Sequence, residues 1–330
     1  MKLNSLYLKK FLIIRTSSLG DIIHSLPFLS SLKKSFPTLE FFWLVNPSFS
    51  QILKNNPYLS GIVLWEKKNL WKLANELKKV SFDASFDLQG LFRSAIFPFF
   101  ARIPHRWGRK ETKEKVGIFY TETFHSSSSH IVDQYLDWVE FLGAERIVEF
   151  PLPQEEKWEE RAKHYFSSTR KKIIIIPGGG WENKRWPWEK YTKLVHVLSK
   201  KEFDIFIFWG IGERDLADRI KRESLHKAEI LPFLDIPGMV SFFKRADVIV
   251  GGDTGPLHLA STLGVPVVGI YGPTDPERNG PYGKNKRIVS KSLPCSPCWK
   301  RKCKEKNIAC LEKIEVEEVV ERVEELEERR

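Results

Sequence analysis

Apolar runs of strand length recur along the chain, separated by longer stretches in which apolar residues return at helical spacing. In the first half the runs are Phe11–Ile14, Phe41–Val45, Ile62–Leu64 and Ala84–Asp87. In the second half they are IIII at 173–176, FDIFIFWG at 203–210, ADVIVGG at 246–252 and VPVVGIYG at 265–272. Continuous apolar runs between amphipathic stretches predict parallel βαβ units, because strands covered on both faces have no polar side to show. Pro151 and Pro153 interrupt this alternation, and a Glu/Lys-rich helix is expected from Glu155 to Tyr165 before the second series begins. The pattern predicts an α/β protein with two Rossmann-like domains, 1–153 and 154–330, facing a central cleft. A last helix is expected at about 313–330. Its stripe of Val316, Val319, Val320, Val323 and Leu326 needs a neighbour, and the N-terminal domain is the expected one. Ser126–Ser129 reads as a mobile loop.

The chemistry sits where strands end. TSSLGDIIH, residues 16–24, joins the first apolar run to a helical pattern beginning at Ile22. Such a turn ordinarily offers bare backbone N–H groups to a phosphate. Here it carries Asp21, which can cap the helix and complement its dipole, a contribution of roughly 0.3–1 kcal/mol. The same carboxylate would repel a phosphate and is better suited to taking a proton.

The second half is built the opposite way. In GGDTGPLHLASTLGVPVVGIYGPTDP, from position 251, glycines let backbone N–H groups approach a ligand and Thr254 adds a hydroxyl. His258 lies one helical turn beyond Gly255 and can face the same place. Three glycines at 178–180 and Lys184 follow the IIII strand, and GIGERD places Glu213 after the next. Successive strand ends of this kind outline a diphosphate site, with Glu213 able to accept from ribose hydroxyls. Two tight turns and a core histidine are the plainer alternative.

A formal charge of +11 on 330 residues points to anionic partners. Arg102, Arg106, Arg109, Lys110, Lys113 and Lys115 form one basic cluster, and Lys300, Arg301, Lys302, Lys304 and Lys306 another. The sequence holds no run of about 18 uncharged apolar residues and no signal-peptide pattern, so a cytoplasmic protein is expected. All four cysteines, Cys295, Cys298, Cys303 and Cys310, share one window, a candidate structural metal site or redox staple rather than a catalytic metal. Their spacing is not that of two paired CxxC motifs, and plain thiols remain the alternative.

Taken in order, RTSSLGDIIHSLP, DLQGLFRSA at 87–95, PGGGWENKRWP and DTGPLHLASTLGVPVVGIYGPTDP resemble glycosyltransferase family 9 along essentially the whole chain. That family comprises the lipopolysaccharide heptosyltransferases of Gram-negative bacteria. The resemblance implies a GT-B fold and inverting transfer of heptose from ADP-heptose, with no cofactor and no catalytic metal. It implies Asp21 as catalytic base, and Lys184, Gly179 and Gly180 at the diphosphate, glycine standing where the family often has hydroxyl residues. Asp253, Thr254, Gly255 and His258 would hold sugar and diphosphate, Glu213 the ribose, and Leu234 would lie near adenine. Arg15, Ser18, Arg93, Arg106 and Arg109 are the acceptor-binding candidates. The implied acceptor is Kdo-lipid A, as for heptosyltransferase I, with heptosyl-Kdo-lipid A, as for heptosyltransferase II, the alternative. The implied setting is peripheral, at the inner face of the cytoplasmic membrane.

A dehydrogenase is excluded because GIGERD breaks the GxGxxG pattern after its second glycine. A nucleic-acid-binding module has the charge but no recognisable reading motif. A non-catalytic nucleotide-binding relative would be expected to lack Asp21 or Lys184, and both are present.

Overall fold

A computed structural model describes residues 3, 7–65, 70–112, 114–201, 203–305 and 307–328. The chain divides into two compact units, Met1–Pro153 and Gln154–Arg330.

The first unit carries strands β1 (Lys10–Ile14), β2 (Glu40–Val45), β3 (Gly61–Leu64), β4 (Ala84–Asp87), β5 (His105–Arg109) and β6 (Glu122–Phe124). Helices α1 (Leu19–Ser35), α2 (Leu70–Val80), α3 (Phe92–Phe100) and α4 (Ile131–Phe141) connect or cover them. All the strand pairs are parallel, in the order β3-β2-β1-β4-β5-β6. Ile13 of β1 stands between Trp43 and Phe86, and Phe11 to Ile14 are wholly buried. A central parallel strand covered on both faces selects such an uninterrupted apolar run. The edge strand β3 alternates partly buried and exposed residues instead.

The second unit repeats the plan. Strands β7 (Lys172–Ile176), β8 (Asp204–Ile207), β9 (Glu229–Ile230), β10 (Val248–Gly252), β11 (Val267–Tyr271) and β12 (Lys286–Ser290) lie in the order β12-β11-β10-β7-β8-β9. Numbered from β7, this is the order of the first sheet. Helices α5 (Glu156–Tyr165), α6 (Trp188–Ser199), α7 (Arg214–Glu223), α8 (Ile236–Phe243), α9 (Gly255–Thr262), α10 (Pro276–Asn279), α11 (Ala309–Glu312) and α12 (Val316–Glu327) complete it.

One expectation changes, and one element appears that the apolar pattern does not predict. The stripe of α12, expected to pack back on the N-terminal domain, is covered inside its own unit. Val316, Val319, Val320, Val323 and Leu326 join Leu194, Val195 and Leu198 of α6 in one buried cluster, with Val268 and Val289 of the sheet. A helix with a single apolar stripe needs only one such partner. The basic segment around Arg106 holds a strand that the apolar pattern does not predict. His105–Arg109 is a strand, with Trp107 buried beside Phe86 and the cations Arg106 and Arg109 only half-buried.

Candidate active site

In a doubly wound sheet, side chains converge on ligands at the carboxyl ends of strands where the chain reverses its winding direction. In the first unit that point lies between β1 and β4. The loop after β1 is tied to the loop after β4 by Thr16, whose amide and hydroxyl both donate to Gln89 Oε1, at 2.8 and 2.6 Å. Arg15 reaches across as well, Nη1 donating to the Leu88 carbonyl at 2.6 Å.

Asp21 is held at this junction by two kinds of contact. Its Oδ1 meets Arg15 Nη2 at 2.5 Å. Its Oδ2 accepts from the Ser18 amide at 3.0 Å and the Ser18 hydroxyl at 2.7 Å, so Ser18 and Asp21 form the capping box of α1. The capping role weighed from the sequence is therefore present, and the ion pair is added to it. Burial pushes the Asp21 carboxyl up, but the Arg15 guanidinium and the Ser18 hydrogen bonds outweigh it and bring it down to about 2. Behind it, Asp87 accepts from the Gln89 and Gly90 amides and from the Ser94 and Tyr120 hydroxyls. Burial still pushes the Asp87 carboxyl up.

The corresponding point of the second unit lies between β7 and β10. Asp253, buried just past β10, accepts from Lys184 Nζ at 2.5 Å and from the Thr274 hydroxyl at 2.7 Å, and meets His258 Nε2 at 3.0 Å. Burial alone pushes the Asp253 carboxyl up, but His258 and Lys184 hold it well below the ordinary carboxylate range. Lys184 also lies over the Trp181 ring, 4.5 Å from its centroid. Thr254 is the N-cap of α9, yet its side chain makes no capping bond. Its hydroxyl is buried and meets no hydrogen-bond partner among the described residues. The loops after β7 and β10 are close enough that a Cβ on Gly179 would lie 3.1 Å from Thr254 Cγ2. Gly255 opens α9, whose first N–H groups are unsatisfied by the helix itself.

Glu213 does something the sequence does not suggest. Its Oε1 accepts from the Gly179 amide at 2.8 Å and its Oε2 from the Gly210 amide at 3.0 Å, clamping the loops after β7 and β8 together. Gly178 makes room for it, since a Cβ there would lie 2.0 Å from Glu213 Oε2. The Gly179 N–H expected at a diphosphate is thus already used, and Glu213, expected to take ribose hydroxyls, is committed to backbone. Gly180 lies in open space, with nothing within 4 Å of an added Cβ. Leu234 is buried, while its neighbour Phe233 is exposed and packs on Trp209.

A two-sheet α/β chain with an ionised carboxylate at one switch point and a cation, a helix N-terminus and a vacant hydroxyl at the other matches a known family model. That model, glycosyltransferase family 9 (heptosyltransferase), covers residues 70–309. The chain belongs to glycosyltransferase family 9. This family 9 chain is 30% identical to lipopolysaccharide heptosyltransferase 1 of Campylobacter coli, over 96% of itself and 98% of that protein. It is 27% identical to lipopolysaccharide heptosyltransferase 1 of Pseudomonas aeruginosa, over 89% and 87% of the two chains. Its fold matches the Escherichia coli heptosyltransferase WaaC with ADP at a TM-score of 0.72, with 24% identity over 96% and 99% of the chains. The protein is a glycosyltransferase of GT-B fold.

Other expected site residues of the glycosyltransferase are more dispersed. Arg93 is half-buried in α3, its Nε without a partner among the described residues. Arg106 turns onto its own unit, Nε donating to the Phe119 carbonyl at 2.8 Å and Nη1 to the Ile103 carbonyl at 2.7 Å. That commitment, rather than an outward charge, is what its strand position gives it. Arg109 donates to Gln134 Oε1 at 2.5 Å. The four cysteines are free thiols, and burial with the neighbouring thiols pushes Cys310 up. Among the described residues no group of three or more His, Cys, Asp or Glu is arranged to hold a metal. Cys303 instead donates to the Asn307 carbonyl at 3.4 Å, and Cys310 packs against Gly272. Lys113 and Lys306 of the basic clusters lie outside the described residues. Thr274, Gln89 and Trp181 stand in the motifs read from the sequence, but nothing in their spacing singles them out.

Proposed function

We propose that the enzyme transfers heptose from ADP-heptose to the Kdo region of lipopolysaccharide, with inversion at the anomeric carbon and Kdo-lipid A as acceptor. The reading is carried by the constellation at the second switch point. There the Thr254 hydroxyl, without a partner among the described residues, lies with the N-terminus of α9 and Lys184 around buried Asp253. Donors of this kind suit a diphosphate, whose charge grows as it departs. Relatives named lipopolysaccharide heptosyltransferase 1 support the first of the two acceptors that the resemblance implies, Kdo-lipid A.

The chemistry follows. The acceptor hydroxyl oxygen bonds to the anomeric carbon from the face opposite the diphosphate, the carbon–oxygen bond to the diphosphate breaks, and the hydroxyl proton passes to Asp21. One displacement inverts configuration, and one base suffices. Asp21 is ionised throughout the physiological range but weakly basic while Arg15 holds it. In this scheme Arg15 also serves the acceptor's carboxylates; drawn toward them, it loosens its hold and restores basicity to Asp21 when the hydroxyl arrives. Lys184, the amides opening α9 and Thr254 receive the leaving diphosphate.

The test is transfer from ADP-heptose to Kdo-lipid A, wild type beside Asp21→Asn, with heptosyl-Kdo-lipid A as parallel acceptor. Turnover on Kdo-lipid A, reduced on the order of 100-fold or more in Asp21→Asn, supports the reading. Turnover only on heptosyl-Kdo-lipid A replaces the acceptor. An Asp21→Asn enzyme as active as wild type removes the base.

A further inference from the structure

Five aromatic rings on the first unit form one continuous file. Trp71 of α2 packs on Phe100 of α3 with ring centroids 5.0 Å apart, and Phe100 lies 5.7 Å from Phe99. Phe99 is 5.5 Å from Phe119, which lies 5.4 Å from Phe92. Much of this file faces solvent, Trp71 being 63% exposed, Phe92 51% and Phe99 44%, with Ile118 beside it 82% exposed. Apolar groups scattered singly over a surface are ordinary, whereas a contiguous file marks a surface meant to be covered.

The arrangement follows from helix faces. In α3 the buried face is taken by Ser94, Ala95, Phe97 and Pro98, which leaves Phe92, Phe99 and Phe100 outside. In α2 the inward positions are Leu73, Ala74 and Leu77, so Trp71 turns out. Packing within the unit therefore does not account for these rings.

The charge around the file says what covers it. From Phe92 to Tyr120 the sequence has seven basic residues and two acidic ones. Arg102 and Lys115 are exposed where α3 ends and where the turn Val116–Phe119 begins. One of the two acids, Glu114, is bound by the Phe92 amide at 2.5 Å. Indole and phenyl rings bordered by cations suit a membrane–water boundary, where rings enter the acyl edge and cations meet anionic headgroups. Among the described residues no helix is long and apolar enough to cross a membrane, so the attachment would lie in the interface.

We propose that the Trp71–Phe100–Phe99–Phe119–Phe92 face, with Arg102 and Lys115, docks this enzyme on an anionic lipid bilayer surface. It deepens the proposed function, which needs access to a lipid-anchored acceptor, but its test uses neither donor nor acceptor. Failure here and failure of the transfer assay are thus separate results.

The experiment is co-sedimentation of the full chain with phosphatidylcholine vesicles, with and without phosphatidylglycerol. Three variants accompany the wild type: Phe99→Ser/Phe100→Ser, Arg102→Glu/Lys115→Glu, and Phe141→Ser as an exposed aromatic outside the file. Melting temperatures verify folding. Wild type is expected to bind only the anionic vesicles. The paired serine variant should lose at least about tenfold in partitioning at every salt concentration, the affinity equivalent of one buried ring. The charge-reversed pair should lose binding chiefly at low salt, and Phe141→Ser should bind as wild type. Absence of wild-type binding overturns the proposal, as does full retention by the serine pair. A concentration-dependent dimer in sedimentation velocity that the serine pair abolishes would also overturn it, giving the face to a second copy of the chain.

Discussion

Thr254→Val has opposite expected effects on the free and the ligand-bound protein. The Thr254 backbone already has the extended geometry of an N-cap, with φ −138° and ψ 156°, which a β-branched valine accepts. Its hydroxyl caps nothing and is buried without a partner among the described residues, a condition that costs about 1–3 kcal/mol in a folded protein. Replacing that oxygen with a methyl group therefore loses no bond in the free state. Stability should hold or rise by up to about 1 kcal/mol, a gain of about 2–4 °C in melting temperature. The hydroxyl is expected instead to donate to an anionic diphosphate oxygen, a bond worth about 1.5–3 kcal/mol. Losing it weakens binding by roughly 10- to 150-fold. Differential scanning calorimetry of the free protein and isothermal titration with ADP read the two quantities, with Thr254→Ser as the control that keeps the oxygen. A variant that melts several degrees lower and binds ADP as tightly as wild type would refute the reasoning, because the hydroxyl would then serve the fold.

Arg15→Gln should let burial dominate at Asp21, and the acid limb of kcat/KM should move up by about 1–3 pH units from the wild-type position near pH 2. The same pair has a stability signature. A carboxyl depressed to about 2 contributes stability that is present above the unfolded value near 3.9 and is lost as pH falls through 2. Acid titration of the unfolding free energy should show that loss, about 2 kcal/mol, in wild type and not in Asp21→Asn. Gly178→Ala pushes a Cβ into Glu213 and should release the Gly179 and Gly210 amides, lowering stability by about 2–4 kcal/mol in chemical denaturation.

Central strands were legible because burial on both faces leaves FLII, FFWLV and IIII nothing to alternate with. His105–Arg109 was not, since a strand holding only Trp107 and Gly108 in the interior looks polar throughout. Asp21, Lys184, Asp253 and Thr254 could be picked out because small residues and a strand end fix where they stand. What each touches could not. Glu213 sits only three residues from Gly210 but 34 from Gly179, and only the folded sheet brings the two amides together. Arg106 reads as a surface cation until the turn Val116–Phe119 offers it the Phe119 carbonyl. Thr274 acquires its role from Asp253, 21 residues away on a neighbouring strand end. The cysteines show the converse. Nearness in sequence gave them a common window, yet among the described residues no three of them are arranged to hold a metal.

The repeated strand order has a consequence for descent and for engineering. Lys184, Asp253, Thr254, His258 and Thr274 all come from Gln154–Arg330, as Arg15, Ser18, Asp21 and Gln89 all come from Met1–Pro153. Each constellation can therefore be inherited, duplicated or exchanged as one cassette. A chimera cut at the Pro151–Pro153 seam would carry one complete half-site on each side of the join.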